Sequence, residues 1–97
     1  MLHLVNKSPF ASTSLESCLK FATKGAPILL FEDGIYGAMS GTALEAKIKD
    51  VMKDHPVYAL KEDLMARGID VVIDGVKTID YPGFVELVER HKTCTWS

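Results

Sequence analysis

Short apolar runs alternate with helix-like segments along the whole chain, and this alternation limits the possible folds more than any other feature. Leu2 to Val5, Pro27 to Phe31 and Val57 to Leu60 are strand-sized runs. Pro27-Ile28-Leu29-Leu30-Phe31 is apolar on both faces of a pleat, which suits a central parallel strand covered by helices on each side. The expected class is therefore α/β, with a mainly parallel sheet of about five strands and helices on both faces. The 97 residues fall below the usual domain mode of roughly 100–150, so residues 1–97 are expected to form one domain.

The helical segments carry their own punctuation. Thr13 to Glu16 has the spacing of a capping box, which predicts a helix from about Ser14 to Lys24, closed by Gly25. Leu15, Cys18, Leu19 and Ala22 make its apolar stripe. A second helix is expected over Gly41 to Lys53, with Leu44, Ile48, Val51 and Met52 inward. Ile35 to Ser40 reads as a short extra turn before it. Glu62 to Arg67 reads as a short helix ended by Gly68. Asp70 to Ile73 and Val76 to Ile79 read as one interrupted strand or as two around Asp74-Gly75. Pro82 suits the first turn of a last helix reaching about His91, with Phe84, Leu87 and Val88 inward. Thr93-Cys94-Thr95-Trp96 is short, β-branched and aromatic, as a final edge strand would be.

Composition narrows the function. With 47% hydrophobic residues the chain is not disordered, and it has no apolar run long enough to span a bilayer. The N-terminus lacks a basic segment followed by an apolar one, so the cytoplasm is the expected location. Net charge is −2, from 11 basic and 13 acidic residues, which argues against direct nucleic-acid binding. Lys47, Lys49 and Lys53 are interleaved with Glu45, Asp50 and Asp54, as on a solvated helix face. No nucleotide-binding glycine motif and no nucleophile elbow occur. Two distant cysteines make neither a zinc set nor a disulfide framework. No cofactor and no metal are expected.

Few residues carry a chemical signal. Cys18 lies on the core stripe, more than one turn inside its helix, where the dipole's help to a thiolate fades. It reads as buried filler or, alternatively, as a sulfur acceptor. Cys94 stands near the C-terminus without an obvious activating partner. Trp96 beside it reads as an aromatic anchor for a partner on the sheet edge. His3, on a central or near-central strand, reads as a hydrogen-bonded core or interface histidine. Glu32 and Asp33 stand at the carboxyl end of a parallel strand, where open α/β sheets bind ligands. They suit acid–base work or a turn into Gly34, with Asp33 bonding local backbone N–H groups.

Several of these segments together resemble the DsrH/TusB family of small sulfur-relay proteins. They are Met1-Leu2-His3, Asn6-Lys7-Ser8-Pro9-Phe10, Phe31-Glu32-Asp33-Gly34-Ile35-Tyr36, Tyr58 to Leu64, Ala66-Arg67-Gly68, Ile79 to Val85 and the terminal tryptophan. The resemblance covers nearly the whole chain in order. It implies a single-domain, three-layer DsrE-like fold. It also implies membership of a heterohexamer with DsrE/TusD-like and DsrF/TusC-like subunits, which passes persulfide sulfur to a DsrC/TusE-like carrier. In that family the active cysteine belongs to the DsrE/TusD-like subunit, so this chain is expected to be accessory. One branch serves 2-thiolation of tRNA wobble uridine and the other sulfur oxidation. Ser14 to Ala22 and Phe31 to Tyr36 are more similar to the sulfur-oxidation DsrH, which has a cysteine matching Cys18.

Two other readings stand beside this one. In the first, the chain is an autonomous persulfide carrier that loads sulfur on Cys18. In the second, it is a non-enzymatic, homo-oligomeric interaction module using its sheet edge and Trp96. Self-association of the isolated chain is compatible with all three.

Overall fold

β1 (Leu2–Val5) and β2 (Ile28–Leu30) are buried at every position, as strands covered on both faces must be. β3 (Val57–Leu60) is buried at all but Tyr58. The outer two strands, β4 (Lys77–Ile79) and β5 (Thr93–Trp96), alternate or are largely exposed. The computed structural model describes residues 1–97 and joins these strands into one sheet in the order β4-β3-β2-β1-β5. Every neighbouring pair is parallel, so the α/β expectation holds and β2 is central.

Handedness explains the layers. From β1 to β4 the chain steps in one direction, through α1 (Ser14–Phe21), a 3-10 helix (Glu32–Ala38), α2 (Glu45–Val51) and α3 (Lys61–Ala66). Right-handed crossovers put these elements on one face. The last connection runs back across the sheet to β5, so its helix, α4 (Tyr81–Arg90), lies on the other face. The packing agrees. Val5, Ile28, Leu30, Val57 and Ala59 meet Leu15, Cys18, Ile35, Ala38, Ile48 and Leu64 in the larger core. On the opposite face Leu2, Leu4 and Leu29 meet Phe84 and Leu87 of α4, with Phe31, Tyr58 and Ile79 alongside. Helices cover both faces, but unequally.

Several boundaries differ from the expected ones. The helix expected over Ser14 to Lys24 stops at Phe21, because Ala22 is already extended and Gly25, at φ +92°, turns to donate to Asp54 O. The capping box does not form. Ser12 Oγ accepts from Ser14 N at 3.2 Å, and Glu16 turns away to Lys47 at 2.8 Å. The helix expected from Gly41 begins at Glu45. Gly41 adopts φ +82°, and the Glu45 carboxylate reaches back to its N–H at 2.9 Å and to Ser40 Oγ at 3.0 Å. Leu44 therefore caps α2 and is only half-buried, whereas Ile48 is buried. The short turn expected at Ile35 starts three residues earlier, as the 3-10 helix. Of the Asp70–Ile79 segment only Lys77–Ile79 is a strand, while Val72 makes an isolated antiparallel bridge to Met39. Val88 faces outward at 36% exposure, leaving Phe84 and Leu87 as the inner stripe of α4.

Candidate functional site

The carboxyl ends of parallel strands are the expected place for ligand chemistry. Beyond β3 and β4 lies an open cavity of about 500 Å³. Leu64, Ile69, Val72 and Ile79 make its apolar wall, and Lys61, Asp70 and Asp80 are its charged residues. Asp80 caps α4 by accepting from Gly83 N at 3.0 Å, as a residue before Pro82 should. Glu62 accepts from Tyr81 N at 3.1 Å. These two carboxylates are committed to the start of α4. The cavity contains no cysteine and no histidine, so it offers no thiol to receive sulfur.

Glu32 and Asp33 open the 3-10 helix directly after β2. Glu32 has φ +49°, a strained conformation for a residue with a side chain. Its N–H is held by Asp63 Oδ2 at 2.6 Å. Asp33 Oδ1 accepts from Arg67 Nε at 3.0 Å and does not bond the local backbone as expected. Arg67 also stands 3.7 Å from Asp63 Oδ1. The result is a clasp between the β2 turn and α3. Asp63 and Arg67 fall within the short helix expected from sequence, which assigns neither of them a contact. Their only local signal is i,i+4 spacing, which does not say what they hold.

The two thiols lie away from the cavity. Cys18 is 0% exposed within the larger core. Burial, and then the neighbouring Cys94 thiol, push its pKa up to about 12. The thiolate is the nucleophile. At neutral pH its population at Cys18 is on the order of 10⁻⁵. Cys94, half-buried on β5, is in register with His3 of β1. α1 packs against both strands, so Cys18, Cys94 and His3 share one region beneath it.

His3 is 2% exposed. Its Nδ1 accepts the indole N–H of Trp96 at 3.1 Å, and the rings lie 6.2 Å apart. Burial holds the His3 pKa below its ordinary value, helped by the Met1 amino group and His55. Trp96 also packs on Phe21, with ring centroids 5.8 Å apart. Phe21 itself is 73% exposed. His3 and Trp96 are thus brought together, while Cys18 is walled off behind them. Their contact spans 93 positions of chain, which no spacing rule reaches.

No group of histidine, cysteine and acidic residues is placed to hold a metal ion. No helix is long and apolar enough to cross a membrane.

Comparison with known proteins gives a consistent picture. Protein TusB of Shigella flexneri is 33% identical over 96 residues, covering 96% of each chain. Protein TusB of Escherichia coli O81 is 34% identical over the same length and share. The fold matches the crystal structure of the ychN protein of Escherichia coli at a TM-score of 0.78. That match has 17% identity and covers 98% of this chain and 97% of the other. A Thermotoga maritima protein solved by NMR matches at a TM-score of 0.64 and 23% identity, over 95% of both chains. Residues 7–94 match the family described as DsrH like protein. The chain belongs to the DsrH-like family, whose curated relatives include the TusB proteins.

Proposed function

We propose that the chain is a non-catalytic subunit of a cytoplasmic sulfur-relay complex. Family membership supports the relay role. The accessory assignment rests on one observation: Cys18 is fully buried and held protonated, while the carboxyl-end cavity has no thiol. The partners in this reading are DsrE/TusD-like and DsrF/TusC-like homologues, which bring the reactive cysteine, and a DsrC/TusE-like carrier. Relay of persulfide sulfur through the assembly serves tRNA wobble-uridine thiolation or sulfur oxidation. The cysteine at position 18 favours the latter branch, and the exposed apolar ring of Phe21 beside Trp96 makes the β5 edge a contact surface in this reading.

The test is native mass spectrometry of the tagged chain co-expressed with the two homologues, followed by intact mass after a persulfide donor is added. The expected result is a heterohexamer in which added sulfur appears on a partner and not on this chain. Separate species, or a homo-oligomer that ignores the homologues, would refute the subunit reading. One added sulfur on the native chain, removed by a thiol reductant and absent in Cys18→Ser, would replace it with the autonomous carrier.

A further inference from the structure

Trp96 is the chain's single tryptophan, and it ends β5, an edge strand whose one neighbour is β1. Its indole nitrogen donates to His3 Nδ1 at 3.1 Å. An indole nitrogen has no lone pair to offer in the ring plane, so the imidazole must accept at Nδ1 and carry its proton on Nε2. Only the neutral ring does this. Protonation at Nδ1 sets donor against donor, in a residue that is 2% exposed and has little water to turn to.

We propose that His3 and Trp96 form a proton-operated latch: neutral His3 holds the C-terminal strand on the sheet, and protonation releases it. The response falls on β5 because the strand that carries Trp96 lies at the sheet edge. It pairs on one side only, its Thr93 and Thr95 are exposed, and Trp96 is its main apolar contact with the larger core. Release also strips the ring from Phe21. The latch stands or falls independently of the relay reading.

The surroundings contain no compensating anion among the groups that act on the ring. On β1 the positive Met1 amino group opposes a second charge, and His55, before β3, does the same. β2 contributes only apolar residues. On β5 the facing group is Cys94. From α1 the inward group is Cys18, a neutral thiol, whereas Glu16 and Lys20 are exposed and Glu16 is paired with Lys47. Lys92, just before β5, is exposed. A lowered folded-state pKa means that the latch is closed at neutral pH and opens as pH falls below 6.5.

Fluorescence of the single tryptophan reads the latch directly. In the wild type, emission is expected to shift to longer wavelength as pH falls from neutrality to about 5, while far-UV circular dichroism stays constant. His3→Gln keeps an acceptor for the indole at every pH and should abolish the shift, whereas His55→Gln and His91→Gln should retain it. Hydrogen exchange on the wild type gives a second readout that needs no variant. Exchange at the Thr93–Trp96 amides, corrected for intrinsic rates, should accelerate about tenfold relative to β2 amides over the same interval. A pH-independent emission, a shift that survives in His3→Gln, or loss of β2 protection together with β5 would each overturn the proposal.

Discussion

Replacing Gly34 by alanine tests how the 3-10 helix is seated on β1. A Cβ built at Gly34 lies 2.1 Å from Val5 O and 2.9 Å from Val5 C. An ordinary C···O contact needs about 3.3 Å, so the two main chains must part by about 1.2 Å. Both atoms in the way belong to backbone, and no rotamer change relieves them. Val5 O also accepts from Phe31 N at 3.1 Å, the bond that docks the end of β2 on the end of β1. Overpacking costs about 1–3 kcal/mol and the strained hydrogen bond about 1 kcal/mol. The gain in backbone rigidity from alanine returns about 0.5–1 kcal/mol. The net loss is about 1–3.5 kcal/mol, which in a domain of this size lowers Tm by about 4–28 °C. Urea unfolding and a thermal melt of both proteins measure it. Gly37→Ala is the internal comparison, since its Cβ meets only side chains, the nearest being Pro9 Cγ at 3.3 Å. That change should cost no more than about 1 kcal/mol. A Gly34→Ala protein melting within about 2 °C of wild type would refute the close-approach argument. So would a Gly37→Ala protein that is equally damaged.

Cys18 predicts an alkaline weakness. The unfolded thiol ionises near 9.0 and the folded one only near 12, so between those values the native state holds the extra proton. Stability is intact below pH 9 and falls as pH rises toward 12, by up to about 1.4 kcal/mol per unit from this residue. Urea midpoints measured across that range should drop more steeply in wild type than in Cys18→Ala, and parallel curves would contradict the assigned burial. At the clasp, Asp63→Ala removes the acceptor for the strained Glu32 N–H and should cost about 1–3 kcal/mol. Asp33→Ala breaks a pair whose carboxylate is 60% exposed and should cost less than about 1 kcal/mol, so the reverse ranking by urea unfolding would show that the Glu32 contact is dispensable.

What could be read in advance follows from range. Leu2 to Val5, Val57 to Leu60 and Thr93 to Trp96 were legible as strands because an apolar or β-branched run between polar breaks is a local pattern. Cys18 was legible as a core residue because Leu15, Cys18 and Leu19 share a helix face. Errors arose where side chains competed for the same backbone groups. Thr13 and Glu16 satisfy the capping-box spacing, yet Ser12 supplies the acceptor and Lys47 draws Glu16 away. Gly41 to Leu44 are compatible with helix, yet Glu45 folds back on Gly41 and α2 starts only at Glu45. The clasp and the His3–Trp96 pair were invisible for a different reason. Their partners stand 31, 34 and 93 positions apart, and only the strand order brings them together.

The topology also bears on what the buried sulfur can do. A relay nucleophile must be reached by a bulky persulfide and must ionise near neutral pH. Cys18 meets neither demand, because α1 lies across β1 and β5 and holds the thiol in the larger core with Leu15 and Val5. Exposing it means lifting α1 from the sheet. That forfeits the burial of Leu15 and Cys18 together, at roughly 1.5–3 kcal/mol for a leucine alone. It also pulls Phe21 from Trp96 and so disturbs the hold on β5. An equilibrium opening of this kind supplies only a small reactive fraction. Under the relay reading proposed above, the chain acts through the surfaces it presents to its partners, and Cys18 serves as packing.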